Sequence, residues 1–439
     1  MNKITLVGAG SRFTLPLLGD LLRVNLREVE LTLIDVNERK LKFVEDVVSS
    51  VVKRYKIDAK VTSTTDLEES LEGSDFIICT IRVGGTRAQV LQLEVPMKYG
   101  IVHTVGDTTG PGGVLKALLE VPAIMRVAQA MEDVCPKAIL INFSNPMTPI
   151  CMAVINYTKV KTVGLCHGVF HMVRLASKLL DVNEREIVVI AAGINHLTWT
   201  LEILRNNVSV YHEVTKALFN EEREQVIREH PYIVGREIYS VFKALPTLND
   251  RHTIEFFPYL NSWLEDEEVM SALNRTSLID LGKREVKETV LKRGEDYLEH
   301  LMKVREGLIP LTPSREYALD IVNCIVNSKF KFLLAANVKN EGYVSNLPSY
   351  AVVEVPAIVT PWGVKGISVG KIPEYSSLIL RQHLTKFKVL VDGIIEGDKD
   401  LVVQAIAIDP LVRSIKVAKS ILDDYLEECR KLRLATPFS

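Results

Sequence analysis

Short apolar runs and amphipathic stretches alternate along the first two hundred residues. β-formers at residues 4–7 lead into helical spacing over 11–24, and a strand at 30–34 leads into a helix over 41–55. Further strands are predicted at 61–64, 75–80, 138–143, 161–165 and 187–192, with a helix over 115–131. Strands separated by helices predict a parallel, doubly wound sheet. Helical spacing then dominates residues 214–229, 266–272, 277–306 and 375–429, broken by a β-rich island at 349–369. The pattern predicts an α/β chain of two domains: a sheet domain over residues 1–195 and a mostly helical α+β domain over 196–439.

Composition narrows the class. A chain of 439 residues with 47% hydrophobic content can bury more than one core. A net charge of −2 without basic runs argues against a nucleic-acid partner. No apolar run approaches a membrane span, and the opening residues lack a signal-peptide pattern. Cys79, Cys135, Cys151, Cys166, Cys324 and Cys429 are scattered, which argues against a disulfide framework and for a reducing, cytoplasmic setting.

The first strand runs into Gly8-Ala9-Gly10-Ser11 and then a helix, the context of a dinucleotide-binding turn. Gly8 permits the turn, and Gly10 lets the backbone approach a pyrophosphate at the helix N-terminus. The third glycine of that fingerprint is missing, with Phe13 or Thr14 in its place. The second strand ends in Asp35, an acid suited to ribose hydroxyls and repulsive to a 2′-phosphate, so NAD is expected over NADP. The N-terminal half is therefore expected to be a Rossmann domain. Arg82, in Cys79-Thr80-Ile81-Arg82-Val83-Gly84-Gly85 after a further strand, is expected to pass near the cofactor's other half.

Three other places carry candidate chemistry. The glycine-rich segment 103–113 reads as a long loop before a helix, with a flexible connection as its plain alternative. Asn145, in Asn142-Phe143-Ser144-Asn145-Pro146, stands at a strand end where ligands bind such sheets, although Asn-Pro also makes ordinary turns. Cys166 and His196 each follow a strand and are expected at one sheet edge. There they could share a divalent metal, or each could be a buried structural residue.

Taken in order, these motifs resemble glycoside hydrolase family 4, the NAD- and metal-dependent glycosidases. The resemblance runs through Gly8–Ser11, Arg82-Val83-Gly84-Gly85 with Arg87, Glu94–Gly100, Thr108-Thr109-Gly110-Pro111-Gly112-Gly113, Ser144-Asn145-Pro146, Cys166-His167-Gly168-Val169, Gly193-Ile194-Asn195-His196 and Val353-Glu354-Val355-Pro356. It implies a fold like lactate and malate dehydrogenases and a redox route to glycosidic cleavage. C3 of the sugar is oxidised, the C2 proton is abstracted, and the C1 substituent is eliminated. Water then adds and C3 is re-reduced, so NAD is recycled.

The resemblance assigns Cys166 and His196 as metal ligands, most often for manganese, with Asn145 and Asp107 touching the sugar. It offers Asp250, in Asn249-Asp250-Arg251-His252, as base with Tyr239 as the alternative, and His167 as acid. Cys-His-Gly-Val departs from the phospho-sugar members and is similar to the α-glucuronidases. An unphosphorylated α-glycoside, α-glucuronide first, is thus the expected substrate, with Arg87 or Arg251 holding the carboxylate. An α-glucosidase, an α-galacturonidase, an NAD-dependent hydroxy-acid dehydrogenase and a non-enzymatic NAD sensor are the rival readings. Relatives imply a homodimer or homotetramer.

Overall fold

The structure is a computed structural model and describes residues 2–314 and 316–438. Its first half alternates as the pattern requires: β1 (Asn2–Val7), α1 (Thr14–Val24), β2 (Val29–Ile34), α2 (Glu38–Tyr55), β3 (Ala59–Thr64), α3 (Leu67–Leu71), β4 (Phe76–Cys79), α4 (Gly85–Met97), α5 (Gly110–Val134), β5 (Ile139–Asn142), α6 (Met147–Tyr157), β6 (Lys161–Gly164) and α7 (Gly168–Leu180). Helix α2 shows why the elements form. Leu41, Val44, Val47, Val48 and Val51 give it one buried stripe, the Asn37 side chain caps its start, and Lys56 turns left-handed to end it.

Six strands lie parallel in the order β3-β2-β1-β4-β5-β6, the doubly wound dinucleotide-binding arrangement. The sheet does not stop there. Strand Lys331–Lys339 pairs antiparallel with β6, and strand Val352–Thr360 follows it. A hairpin of β7 (Ile187–Ile194) and β8 (Leu197–Arg205) comes next. Two strands thus separate β6 from β7. The four strands meet in one row, Gly164–Asn337–Glu354–Gly193, which sets the segments after Gly164 and Gly193 side by side.

Three sequence expectations differ from the structure. The pattern predicted neither β8 nor the strand at Lys331–Lys339, whose Leu-Leu-Ala-Ala centre is helix-prone and becomes a strand because neighbours pair on both sides. Residues 277–306 are not one helix. Ile279–Asp280 and Glu285–Val286 pair as a small hairpin, and the long helix starts at Arg293. The glycine-rich segment is half helix, since α5 begins at Gly110. A Cβ on Gly113 would stand 2.5 Å from the Thr108 carbonyl carbon, so that glycine serves close packing rather than flexibility.

That segment is also pinned at its back. Lys386 Nζ lies 2.6 Å from Asp409 Oδ2 with both side chains essentially excluded from solvent, and it also donates to Thr109. His383 accepts from Thr109 at 3.2 Å on Nδ1 and donates to the Phe256 carbonyl at 2.8 Å through Nε2. Burial first, then Lys386, pushes His383 down to about 3. A base whose folded value lies below its unfolded one stabilises fully above the unfolded value and loses that contribution as pH falls. His383→Gln is therefore expected to flatten the acid limb of a urea-midpoint-against-pH curve between about 6.5 and 3. An unchanged limb would contradict it.

Candidate active site

Most chemistry-bearing residues gather where the strands end. The turn after β1 packs its glycines closely against neighbouring side chains and backbone. Gly8 sits at φ +86°, and a Cβ on Gly10 would stand 2.6 Å from Lys40 Cε and 2.7 Å from Asp35 Oδ2. The Gly10 amide donates to Asp35 Oδ2 at 2.9 Å, and Ser11 Oγ donates to Thr80 Oγ1 at 2.9 Å. Val36, next to Asp35, is 99% exposed and offers an apolar face beside the acid. Arg82 hydrogen-bonds Gln89, whereas Arg87 on α4 is exposed.

The segment before α5 is held from below. Glu255 accepts from Val105 N at 2.7 Å, Gly106 N at 3.0 Å and Thr104 Oγ1 at 3.0 Å, and His103 Nε2 accepts from Gly112 N at 3.0 Å. Asp107 is thereby fixed at the strand-end edge. Its Oδ2 accepts from Asn145 Nδ2 at 3.3 Å, and its Oδ1 accepts from Thr108 Oγ1 at 2.7 Å. Burial raises Asp107, but Lys116 first, then His196 and His252, hold it well below the usual carboxylate range. Lys116, on α5, is lowered by its own burial against the pull of Asp107.

His196 occupies the two-residue turn between β7 and β8 at φ +67°, a conformation that rarely hosts a histidine. Its Nδ1 lies 2.6 Å from Thr108 Oγ1. Because that hydroxyl gives its proton to Asp107, it accepts from His196, which places the ring proton on Nδ1 and leaves Nε2 bare. His252 packs its ring 4.2 Å from that of His196. Asp107, His196 and His252 each bring one donor atom within 4.8 Å of the others. Burial, then His196 and Arg251, keep His252 neutral.

The other expected residues divide. Cys166 sits beside Asn195 and Glu354, adjacent to the histidine turn, and is not one of the three converging groups. Burial first, then Glu354 and Glu316, push its thiol up. Glu354 accepts from Asn195 at 3.1 Å and Asn337 at 2.9 Å and is pushed up to about 7 by burial. His167 pairs with Glu316; burial lowers its imidazole, but the hydrogen bond and charge of Glu316 together with the Ser314 carbonyl raise it overall. Asp250 is fully buried, and both its oxygens accept backbone amides, Val234 at 3.0 Å and Gly235 at 2.9 Å, at the start of helix Ile233–Phe242. Tyr239 lies on that helix against Phe219, with Lys243 over its ring.

Sequence reasoning passed over His252, Lys116, Glu354 and Glu316 as site groups. Two had signals: His252 closes the Asn-Asp-Arg-His segment, and Glu354 is the one acid inside an apolar strand. Lys116 and Glu316 had none, because only folding brings them in. Around the site Arg12, Arg82 and Arg251 all press on Arg293, and none of the four forms an ion pair among the described residues.

The site includes buried polar atoms without partners: Asn145 Oδ1, His252 Nδ1, Asn195 Oδ1 and Glu354 Oε1. Buried polar groups are nearly always satisfied, so these four atoms are open to a ligand's polar groups. Carboxylate, imidazole and thiol donors suit a divalent transition metal, and the glycine turn with Asp35 suits NAD.

Known proteins share this fold. Residues 3–182 match the model of family 4 glycosyl hydrolases, and residues 191–412 match that of their C-terminal domain. An α-galactosidase of Bacillus subtilis is 30% identical over 418 residues, 93% of each chain. An α-galacturonidase of Thermoanaerobacterium saccharolyticum is 29% identical over 460 residues, covering 98% of this chain and 96% of its own. The 6-phospho-β-glucosidase of Thermotoga maritima, solved with manganese, NAD+ and glucose-6-phosphate, superposes with a TM-score of 0.81 at 22% identity over 99% of each chain. This chain is a glycosidase and belongs to family 4 of the glycosyl hydrolases.

Proposed function

We propose that the chain is an NAD- and manganese-dependent hydrolase of unphosphorylated α-glycosides, with an α-hexuronide, α-glucuronide first, as substrate. The observation that carries the cofactor half is the convergence of Asp107, His196 and His252 on the edge that also holds the glycine turn and Asn145. The arginines around Arg293, free of ion pairs among the described residues, support an anionic sugar beside the anionic cofactor. When bound, NAD supplies a reversible hydride acceptor for C3, and the divalent cation supplies a Lewis acid for the charge built up at the neighbouring oxygens.

The chain's own residues do the rest. His196 presents Nε2 as a ligand because Thr108 and Asp107 fix its other nitrogen. Cys166, whose thiol burial, Glu354 and Glu316 keep protonated in the free protein, would give up its proton to ligate. Asn145 Oδ1, free of a protein partner, accepts a sugar hydroxyl. His167, raised by Glu316 against burial, is the acid for the leaving oxygen in this reading. Asp250, pushed up to about 6 by burial, has a value suited to a base, with Tyr239 as the alternative. A base at Asp250 must release its two backbone amides when substrate binds.

A neutral α-galactoside is the second reading, favoured by the 30% identity to an α-galactosidase. Aryl α-glucuronide, α-galacturonide and α-galactoside, assayed with NAD+, Mn2+ and a thiol reductant, decide between them. Faster turnover of either uronide supports the carboxylate reading, and preference for the galactoside removes it. Stoichiometric NADH release would instead mark a dehydrogenase. The free cysteines suit a reducing cytoplasm, and no described helix is long and apolar enough to cross a membrane. A homodimer or homotetramer is part of the same reading. Gly10→Val is expected to weaken NAD binding at least about 100-fold by crowding the turn after β1. Fluorescence titration with NADH checks it, and unaltered affinity would place the dinucleotide elsewhere.

A further inference from the structure

We infer that His252 is a metal ligand, completing with Asp107 and His196 a three-point cage for the divalent cation. This rests on the proposed metal dependence and names a ligand that the sequence resemblance does not supply. Three observations carry it. The donor atoms of Asp107, His196 and His252 lie within 4.8 Å of one another, a span that one ion can bridge. His252 is 8% exposed, its Nδ1 has no partner, and its ring lies 4.2 Å from that of His196. His196 keeps Nε2 bare through the chain His196–Thr108–Asp107, so a second imidazole meets an already oriented first one.

Beside the Cys166 thiol proposed above, a second imidazole and a carboxylate would add donors of the types that suit a divalent transition metal. The three ligands come from the segment before α5, the β7–β8 turn and the short helix Asp250–Thr253, so loading the ion ties both halves of the chain together. His252 Nε2 accepts from Arg251 Nε at 3.2 Å in the free protein. Ligation through Nδ1 would require the ring proton on Nε2, in place of the bond from Arg251, whose Nη1 also donates to the Thr276 carbonyl at 3.0 Å.

Mn2+ binding to the apo-protein, followed by loss of the free-ion paramagnetic resonance signal, tests the cage. His252→Gln and His252→Ala are both expected to weaken Mn2+ at least about 30-fold, with NADH affinity unchanged. Pulsed resonance should count two imidazole nitrogens on Mn2+ in the parent and one in either variant. Parent-like affinity and two nitrogens in a folded variant would overturn the assignment and leave the metal dependence standing. A parent protein that binds no Mn2+ would overturn both. Thermal unfolding of the apo-variants, compared with the parent, separates a lost ligand from a lost fold.

Discussion

Replacing His196 by alanine is expected to lower kcat/KM for the preferred aryl α-glycoside by at least about a thousand-fold, with NADH bound at parental affinity. The ring sits in a left-handed turn position that most residues avoid, and its Nδ1 is oriented through Thr108 onto Asp107. Removing it leaves Asp107 and its partners without the central donor. Lewis-acid stabilisation contributes several kcal/mol, and each 1.36 kcal/mol is tenfold in rate. The proposed NAD site, the turn after β1, shares no hydrogen bond with His196 among the described residues, so cofactor affinity is the control. Kinetics at saturating Mn2+ and a parallel NADH titration check it. Parental turnover would show that the histidine only shapes the turn.

Asp107→Asn is the second large effect, expected at roughly 100- to 1,000-fold in kcat/KM with weakened Mn2+ binding. The substitution keeps the size of the side chain and removes its charge. Lys116 first, with the Thr108 hydroxyl, offsets burial and holds that carboxylate below its usual range. The amide cannot balance a divalent cation or the Lys116 ammonium. Lys116 loses the group that supports its charge and is driven further towards its neutral form. Equal kinetics for the variant and parent would reduce Asp107 to a hydrogen-bonding strut for Thr108 and Asn145.

What the sequence revealed follows from what is local. Gly8, Gly10 and Asp35 were legible because strand, turn, helix and second strand are consecutive, and each glycine answers to a nearby backbone or side chain. Strands β1 to β6 and helices α1, α2 and α5 were legible for the same reason, whereas helices α3, α4, α6 and α7 were not read. The antiparallel extension was not. Lys331–Lys339 becomes a strand only between β6 and Val352–Thr360, partners far away in sequence. Its register sets Glu354 and Asn337 in a row with Gly164 and Gly193, and that row brings Cys166 beside Asn195.

The candidate site divides along the same line. Asn145 and His196 stood out by strand-end position and Asp107 through the family resemblance; the structure joins His196 to Asp107 through Thr108 and Asn145 to Asp107 directly. Asp250 was read as an acid near the sugar, whereas its local commitment is to the amides that open helix Ile233–Phe242. A carboxylate at a helix start accepts backbone amides wherever they are free, and no spacing rule separates that use from catalysis. Asp250→Asn distinguishes the two. A base predicts a folded protein with lost turnover, and a purely structural role predicts lowered thermal stability with turnover retained in the folded fraction.

Hydrolysis in deuterium oxide tests the central claim most directly. The redox route removes the proton at C2 and returns one from solvent, so the released sugar is expected to carry deuterium at C2 while no NADH accumulates. Proton resonance of the product reads this without assuming any residue's role. A product sugar that keeps its C2 proton in full, released at the normal rate, would mean direct displacement at C1 and would contradict the account.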